Sequence, residues 1–143
     1  HRIPGMAVLQ FDISEPDFDI SAIEENCVCY TGTHDNDTTL GWFRGGHDDT
    51  RTPKEVKKTR KIARRLTGGK KKSIHTDMIR LAFSSPAMIA LAPMQDYLGL
   101  GSEARLNRPG TTLNNWRWRL QPGQIDVKLR TRVSAMVESS LRA

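Results

Sequence analysis

The sequence contains no hydrophobic run long enough to cross a membrane. Its longest nearly apolar stretch, residues 87–94, is shorter than the about 18 apolar residues that a membrane-spanning helix needs. Only two cysteines occur, Cys27 and Cys29, and in a strand neither their spacing nor their side-chain direction favours a disulfide. We therefore expect no membrane partner and a reduced, cytoplasmic setting.

Patterns typical of metal and phosphate sites are also missing. A zinc site would need further cysteine or histidine residues at ligand spacing, and His34, His47 and His75 do not supply them. Gly99 and Gly101 lack the third glycine and the lysine of known phosphate-binding loops. These absences predict a protein that binds no metal.

The length and the first residues predict that the chain is part of a longer protein. Its 143 residues fit one average domain. They fall short of the roughly 250 residues that a complete eight-stranded α/β barrel usually needs. The chain starts at His1 without an initiator methionine or a signal sequence, so we expect a fragment.

Positive charge is concentrated in one segment. The sequence has 22 Lys and Arg against 16 Asp and Glu, and ten of the basic residues lie in residues 54–72 beside a single acid, Glu55. Outside that segment the acids outnumber the bases, 15 to 12. A local charge run is more typical of a solvated helix face than of a polyanion-binding surface, and we expect no nucleic-acid partner; a basic nucleic-acid binder remains an alternative.

The hydrophobic pattern predicts an α/β chain with parallel strands. Apolar runs predict strands at residues 6–11, 27–31 and 87–92, and helical spacing predicts helices at residues 53–67, 73–83 and 125–141. Thr52 and Glu55 have the spacing of a capping box, with Pro53 at the first helical position. Nearly continuous apolar strands favour a parallel sheet that is buried on both faces.

Polar clusters follow two of the predicted strands. Residues 33–38 read Thr-His-Asp-Asn-Asp-Thr, and a second polar cluster spans residues 93–107. Catalytic groups in parallel α/β proteins lie at the carboxyl ends of strands, so both clusters are candidate sites. The alternative for residues 33–38 is a turn in which Asp and Asn bond to the local backbone.

Trp116 and Trp118 alternate at strand spacing, which predicts that they share one face of a strand. An aromatic pair of this kind can stack on sugar rings or fill a core. The sequence leaves both roles open.

Five segments together resemble the 4-alpha-glucanotransferase family, whose members are also called amylomaltases or disproportionating enzymes. They are PGMAVLQF at residues 4–11, YTGTHDNDTTLGWF at 30–43, PMQDYLGLGSEAR at 93–105, NRPGTT at 107–112 and NWRWR at 115–119. The segments span most of the chain, and contiguous motifs of this length are highly specific.

The resemblance implies an α-retaining glucanotransferase on a (β/α)8 TIM barrel. Residues 1–143 are then the C-terminal portion of a single catalytic barrel, carrying about its last three strands and no separate domain. The implied partners are α-1,4-glucans and maltooligosaccharides, with no metal or organic cofactor. The family's nucleophilic aspartate and its glutamate acid/base precede the segment at residues 4–11, so the fragment alone is expected to be inactive.

The resemblance also implies roles for three residues, and side-chain chemistry suggests a fourth. Asp35 matches the third family carboxylate, which stabilises the transition state. His34 matches a neighbouring donor to the same sugar, Asn107 matches a sugar-binding residue after the last strand, and we expect the Asn36 amide to bind sugar hydroxyls. A carbohydrate-binding module without chemistry is the alternative.

Overall fold

The computed structural model describes residues 3–46, 49–69, 72–140 and 142. Within these residues three parallel strands form one sheet in the order β1-β2-β3: β1 is Gly5–Val8, β2 is Cys27–Tyr30 and β3 is Ile89–Leu91. The helices are α1 (Leu9–Asp12), α2 (Thr39–Arg44), α3 (Pro53–Thr67), α4 (Ile74–Ser84), α5 (Met94–Leu98) and α6 (Val127–Ser139), with short 3-10 turns at Ile20–Ala22 and Ser102–Ala104. The predicted α/β class and parallel strand direction are confirmed.

Helix α3 begins and ends where local sequence signals predict. The Thr52 side chain accepts a hydrogen bond from the Glu55 backbone, and the Glu55 carboxylate accepts one from the Thr52 backbone at 2.6 Å. Gly68 ends the helix in the left-handed conformation, with φ of 61°. Both devices satisfy backbone groups that a helix end leaves unpaired, so the capping-box prediction is confirmed.

Most predicted elements differ in their bounds, the third strand being Ile89–Leu91 where 87–92 was predicted, and two of the differences have a local cause. The first strand ends at Val8, because the Asp12 carboxylate accepts a bond from the Val8 backbone at 2.8 Å and the chain turns into α1. The last helix begins after Ile125, where Asp126 accepts a bond from the Leu129 backbone at 2.7 Å and caps it. Residue 141, which the pattern included in that helix, lies outside the described residues.

The two faces of the sheet differ, so the expectation of burial on both faces is wrong for the described chain. Ala7, Cys29 and Ala90 pair across the sheet, and these small residues pack in the core that α4 covers. On the opposite face Met6 and Ile89 pair with Val28, and they are 67% and 46% exposed. The described residues build a covering layer on one side of the sheet only.

The core lies between the sheet and helices α2, α3 and α4. Its fully buried members include Leu9, Ile13, Cys29, Ile74 and Met78. Both cysteines are buried free thiols. No helix in the described ranges is long and apolar enough to span a bilayer.

Candidate functional site

The predicted site residues meet at the carboxyl edge of the sheet. The loop that carries His34 and Asp35 joins β2 to α2, and the loop that carries Asn107 follows the turn after α5. Asn107 Nδ2 donates to Asp35 Oδ1 at 2.6 Å, and His34 Nε2 lies 3.3 Å from the same oxygen. Three residues predicted as separate sequence matches therefore form one cluster around the Asp35 carboxylate.

The cluster faces solvent. The His34 and Asp35 side chains are 57% and 48% exposed. They line a cavity of about 550 Å³, together with apolar surface from Met6, Tyr30 and Leu91. A half-exposed carboxylate on the wall of a cavity is placed to contact a bound molecule.

Trp116 adds an aromatic surface to the cluster. Its ring centroid lies 5.3 Å from that of His34, at an interplanar angle of 35°, and the residue is 53% exposed. The predicted strand is wrong here: residues 113–120 form no strand, since Asn114 and Trp116 both have positive φ. The Trp116 backbone donates to the Leu106 carbonyl at 2.6 Å, and this bond places the ring beside the site.

Arg105, to which the sequence assigned no role, joins the two loops of the cluster. Its Nε donates to the Asn107 carbonyl at 2.8 Å, and one of its terminal nitrogens donates to the Asp35 carbonyl at 2.7 Å. A planar guanidinium with several fixed donors suits such a bridge. Arg105 thereby sets the separation of the backbone at Asp35 and Asn107.

Asp96 anchors the Asp35 loop at both ends and was also missed. Its carboxylate accepts from the Thr31 hydroxyl, where β2 ends, and from the Thr39 backbone and hydroxyl, where α2 begins, each at 2.7 Å. Asp96 is 1% exposed, and burial raises the pKa of its carboxyl above the ordinary value, although the three donors oppose that rise. The only sequence signal was an aspartate in the polar cluster that follows an apolar run.

The side chains of Asp37 and Asn36 hold the loop in its conformation through hydrogen bonds. Asp37 accepts from the Thr38 backbone at 2.7 Å and from the Ser102 hydroxyl at 2.6 Å. Asn36 Oδ1 accepts from the backbone and hydroxyl of Thr33, both at 2.8 Å. The predicted turn, in which Asp and Asn side chains bond to the local backbone, is therefore found for Asp37 and for the Asn36 oxygen. The Asp35 carboxylate instead faces Asn107 and solvent.

Glycine is required where this loop passes the end of β1. A Cβ at Gly32 would lie 2.6 Å from the Gln10 side-chain nitrogen and 3.2 Å from the Asn36 Cβ. Gln10 is itself held, because it donates to the Asp37 carbonyl at 2.9 Å. The loop is thus packed closely against α1, which directly follows the first strand.

The side chains of this cluster can form hydrogen bonds to a polar molecule and contact its apolar faces. A carboxylate, an imidazole and an amide lie next to an exposed aromatic ring, which suits a polyhydroxylated substrate. No group of three or more possible metal ligands occurs among the residues with described positions.

Comparisons with known proteins agree on one family. A family model described as 4-alpha-glucanotransferase matches residues 1–126. The 4-alpha-glucanotransferase of Synechocystis sp. is 42% identical over 141 residues, covering 96% of this chain and 26% of that protein. That of Thermus thermophilus is 40% identical over 148 residues, covering 98% of this chain and 28% of that protein.

A plant relative and a solved structure extend the comparison. The chloroplastic/amyloplastic 4-alpha-glucanotransferase of Solanum tuberosum is 46% identical over 121 residues, covering 82% of this chain and 19% of that protein. An amylomaltase from Streptococcus agalactiae, solved in complex with acarbose, superposes with a TM-score of 0.83 at 23% identity and covers 99% of this chain and 28% of that one. The fold is therefore shared, and the chain spans about a fifth to a quarter of the length of these relatives.

Proposed function

Because the chain belongs to the 4-alpha-glucanotransferase family, we propose that it is the C-terminal part of a retaining enzyme that transfers α-1,4-glucan segments between maltooligosaccharides. Its three strands are the last three of a (β/α)8 barrel, and residues 1–143 form no separate domain. The apolar row of Met6, Val28 and Ile89, in which Met6 and Ile89 are exposed, supports this placement, because the interior of a closed barrel is filled by such side chains.

In this enzyme two carboxylates outside the chain carry the covalent chemistry. An aspartate attacks the anomeric carbon as the glycosidic bond breaks, and a glutamate gives its proton to the leaving oxygen. In the second half of the reaction the glutamate takes a proton from the 4-hydroxyl of an acceptor sugar. The hydroxyl oxygen then bonds to the anomeric carbon, and the bond to the aspartate breaks. Both steps pass through a sugar that resembles an oxocarbenium ion.

Asp35 acts on that positive charge. The observation that carries the proposal is its half-exposed carboxylate, held by Asn107 at 2.6 Å beside His34. His34, Asn107 and the remaining amide nitrogen of Asn36 bind sugar hydroxyls, and the Trp116 ring stacks on a glucose unit. No metal or organic cofactor takes part. Two free buried cysteines support a cytoplasmic location.

The decisive experiment replaces Asp35 by asparagine in the full-length enzyme. The change keeps the side-chain size and the bond to Asn107 but removes the charge. Loss of one preorganised electrostatic contact costs about 3 to 4 kcal/mol, so kcat for maltotriose disproportionation should fall on the order of a hundred- to a thousand-fold. A raised KM with unchanged kcat would instead make Asp35 a uniform binding residue.

Asp37→Asn is the matched control. It removes the same charge two residues away, from a carboxylate that bonds to Thr38 and Ser102. We expect a lowered melting temperature and a smaller loss of kcat. Equal kcat losses in the two variants, with both melting temperatures lowered, would show that Asp35 is only a turn residue.

A further inference from the structure

The proposed reaction makes no use of the cations on α3. Four of them, Lys57, Lys61, Arg64 and Arg65, are exposed and line a groove of about 870 Å³, with apolar surface from Phe43 and Pro53. A glucan carries no charge, so this array contributes nothing evident to binding the proposed substrate. Helix spacing of four and three residues puts Lys57, Lys61 and Arg64 along one side of the helix.

These cations lack anionic partners within the described ranges. The ion pairs found there involve Asp35, Asp49 and Asp77, and none includes a groove residue. The acid on this helix, Glu55, is engaged with both the backbone and the hydroxyl of Thr52. Like charges three and four residues apart on a helix repel each other, so the arrangement is destabilising unless an anion neutralises it.

One wall of the groove is preorganised. The Arg60 guanidinium donates to the carbonyls of Phe43 and Arg44 at the end of α2 and lies over the Phe43 ring, 5.9 Å from its centroid. Arg60 and Phe43 also border an adjoining cavity of about 660 Å³ that Lys72 and His75 line. Cationic side chains from α3 and Lys72 therefore border two neighbouring cavities that share Arg60 and Phe43.

We propose that this groove binds a small anion that carries two or more phosphoryl groups. Clustered cations in a concave site attract anions, and guanidinium groups match phosphate oxygens in pairs. The groove volume of about 870 Å³ lies in the range of small-molecule pockets, which argues for a small ligand over a duplex or a membrane. The same shared chemistry occurs in nucleoside polyphosphates, sugar bisphosphates and inorganic polyphosphate.

The test measures binding of inorganic tripolyphosphate to the full-length protein by calorimetry at low ionic strength. We expect saturable binding that weakens as salt screens the cations. The triple variant Lys57→Gln, Lys61→Gln, Arg64→Gln should bind about 10- to 100-fold more weakly, at roughly two- to fivefold per exposed charge pair. Its turnover of maltotriose without the anion should stay within a few-fold of the unmodified enzyme.

A matched triple variant removes the same charge from outside the groove: Lys54→Gln, Lys58→Gln and Lys128→Gln. We expect it to weaken tripolyphosphate binding less than threefold, with both variants keeping the parent circular dichroism spectrum. Parallel titrations with ATP and with fructose 1,6-bisphosphate distinguish the three ligand classes. The class whose representative binds with the lowest Kd is the one that the groove prefers. The proposal is overturned by absence of saturable binding, by equal weakening in the two triple variants, or by equal affinity for sulfate or tighter binding of duplex DNA.

Discussion

Replacing Asp96 by leucine tests whether one buried carboxylate holds the loop of Asp35 in place. In the structure Asp96 bonds to Thr31 and Thr39, the residues that flank the loop of Asp35, and it is almost completely buried. Leucine has a similar volume but accepts no hydrogen bond. The variant therefore leaves the Thr39 backbone N–H and two hydroxyls without their acceptor.

The expected loss follows from those three donors. Each buried donor left unsatisfied costs about 1 to 3 kcal/mol, so the loop anchor should lose about 3 kcal/mol or more. Asp35 is then free to shift, and a displacement of about 1 Å is enough to cost on the order of a hundredfold in rate. Asp96→Asn retains an acceptor for the Thr39 backbone N–H. The Thr31 and Thr39 hydroxyls can rotate to accept bonds from the new amide nitrogen, so the losses of stability and rate should be much smaller.

The assay follows glucose release from maltotriose, together with the melting temperature. We expect Asp96→Leu to lower both kcat and the melting temperature, and Asp17→Asn, which removes an exposed carboxylate, to change neither. Unchanged kcat and melting temperature in Asp96→Leu would refute the anchoring role. A lowered melting temperature with unchanged kcat would show that Asp96 stabilises the fold without positioning Asp35.

The pH dependence of stability gives an independent check on Asp96. Burial raises the pKa of its carboxyl in the folded state, so the folded protein holds this proton more tightly than the unfolded chain. Stability from this group is therefore greatest in acid and falls as pH rises from the ordinary carboxyl value through the raised one. The stability of the unmodified protein relative to Asp96→Asn should decrease over that window, and a difference that is independent of pH would contradict the assignment.

Two further predictions concern the proposed sugar site and the isolated chain. Trp116→Ala should raise KM for maltotriose roughly fivefold, because loss of an exposed stacking surface costs about 1 kcal/mol, while a fall in kcat with unchanged KM would argue against stacking. The isolated 143-residue chain should release no glucose from maltotriose and make no longer oligomers, because the proposed nucleophile and acid/base lie outside it. Disproportionation by the pure chain would overturn that division of roles.

The resemblance of short motifs identified Asp35, His34 and Asn107 as site residues, and the structure brings them together, although their proposed roles await the experiments above. It did not identify the residues that hold them. Arg105 and Asp96 contact residues 70, 65 and 57 positions away. Neither residue lies in a local pattern that specifies such a partner.

The sequence by itself determined the local elements. The capping box and the terminal glycine of α3 act within one or two helical turns, so their effect can be predicted from neighbouring residues. The position of the Trp116 ring beside His34 and the unequal faces of the sheet were decided only in the tertiary structure. Each depends on contacts between segments that are distant in sequence, and the pairing of such segments is set by the packing of the whole chain.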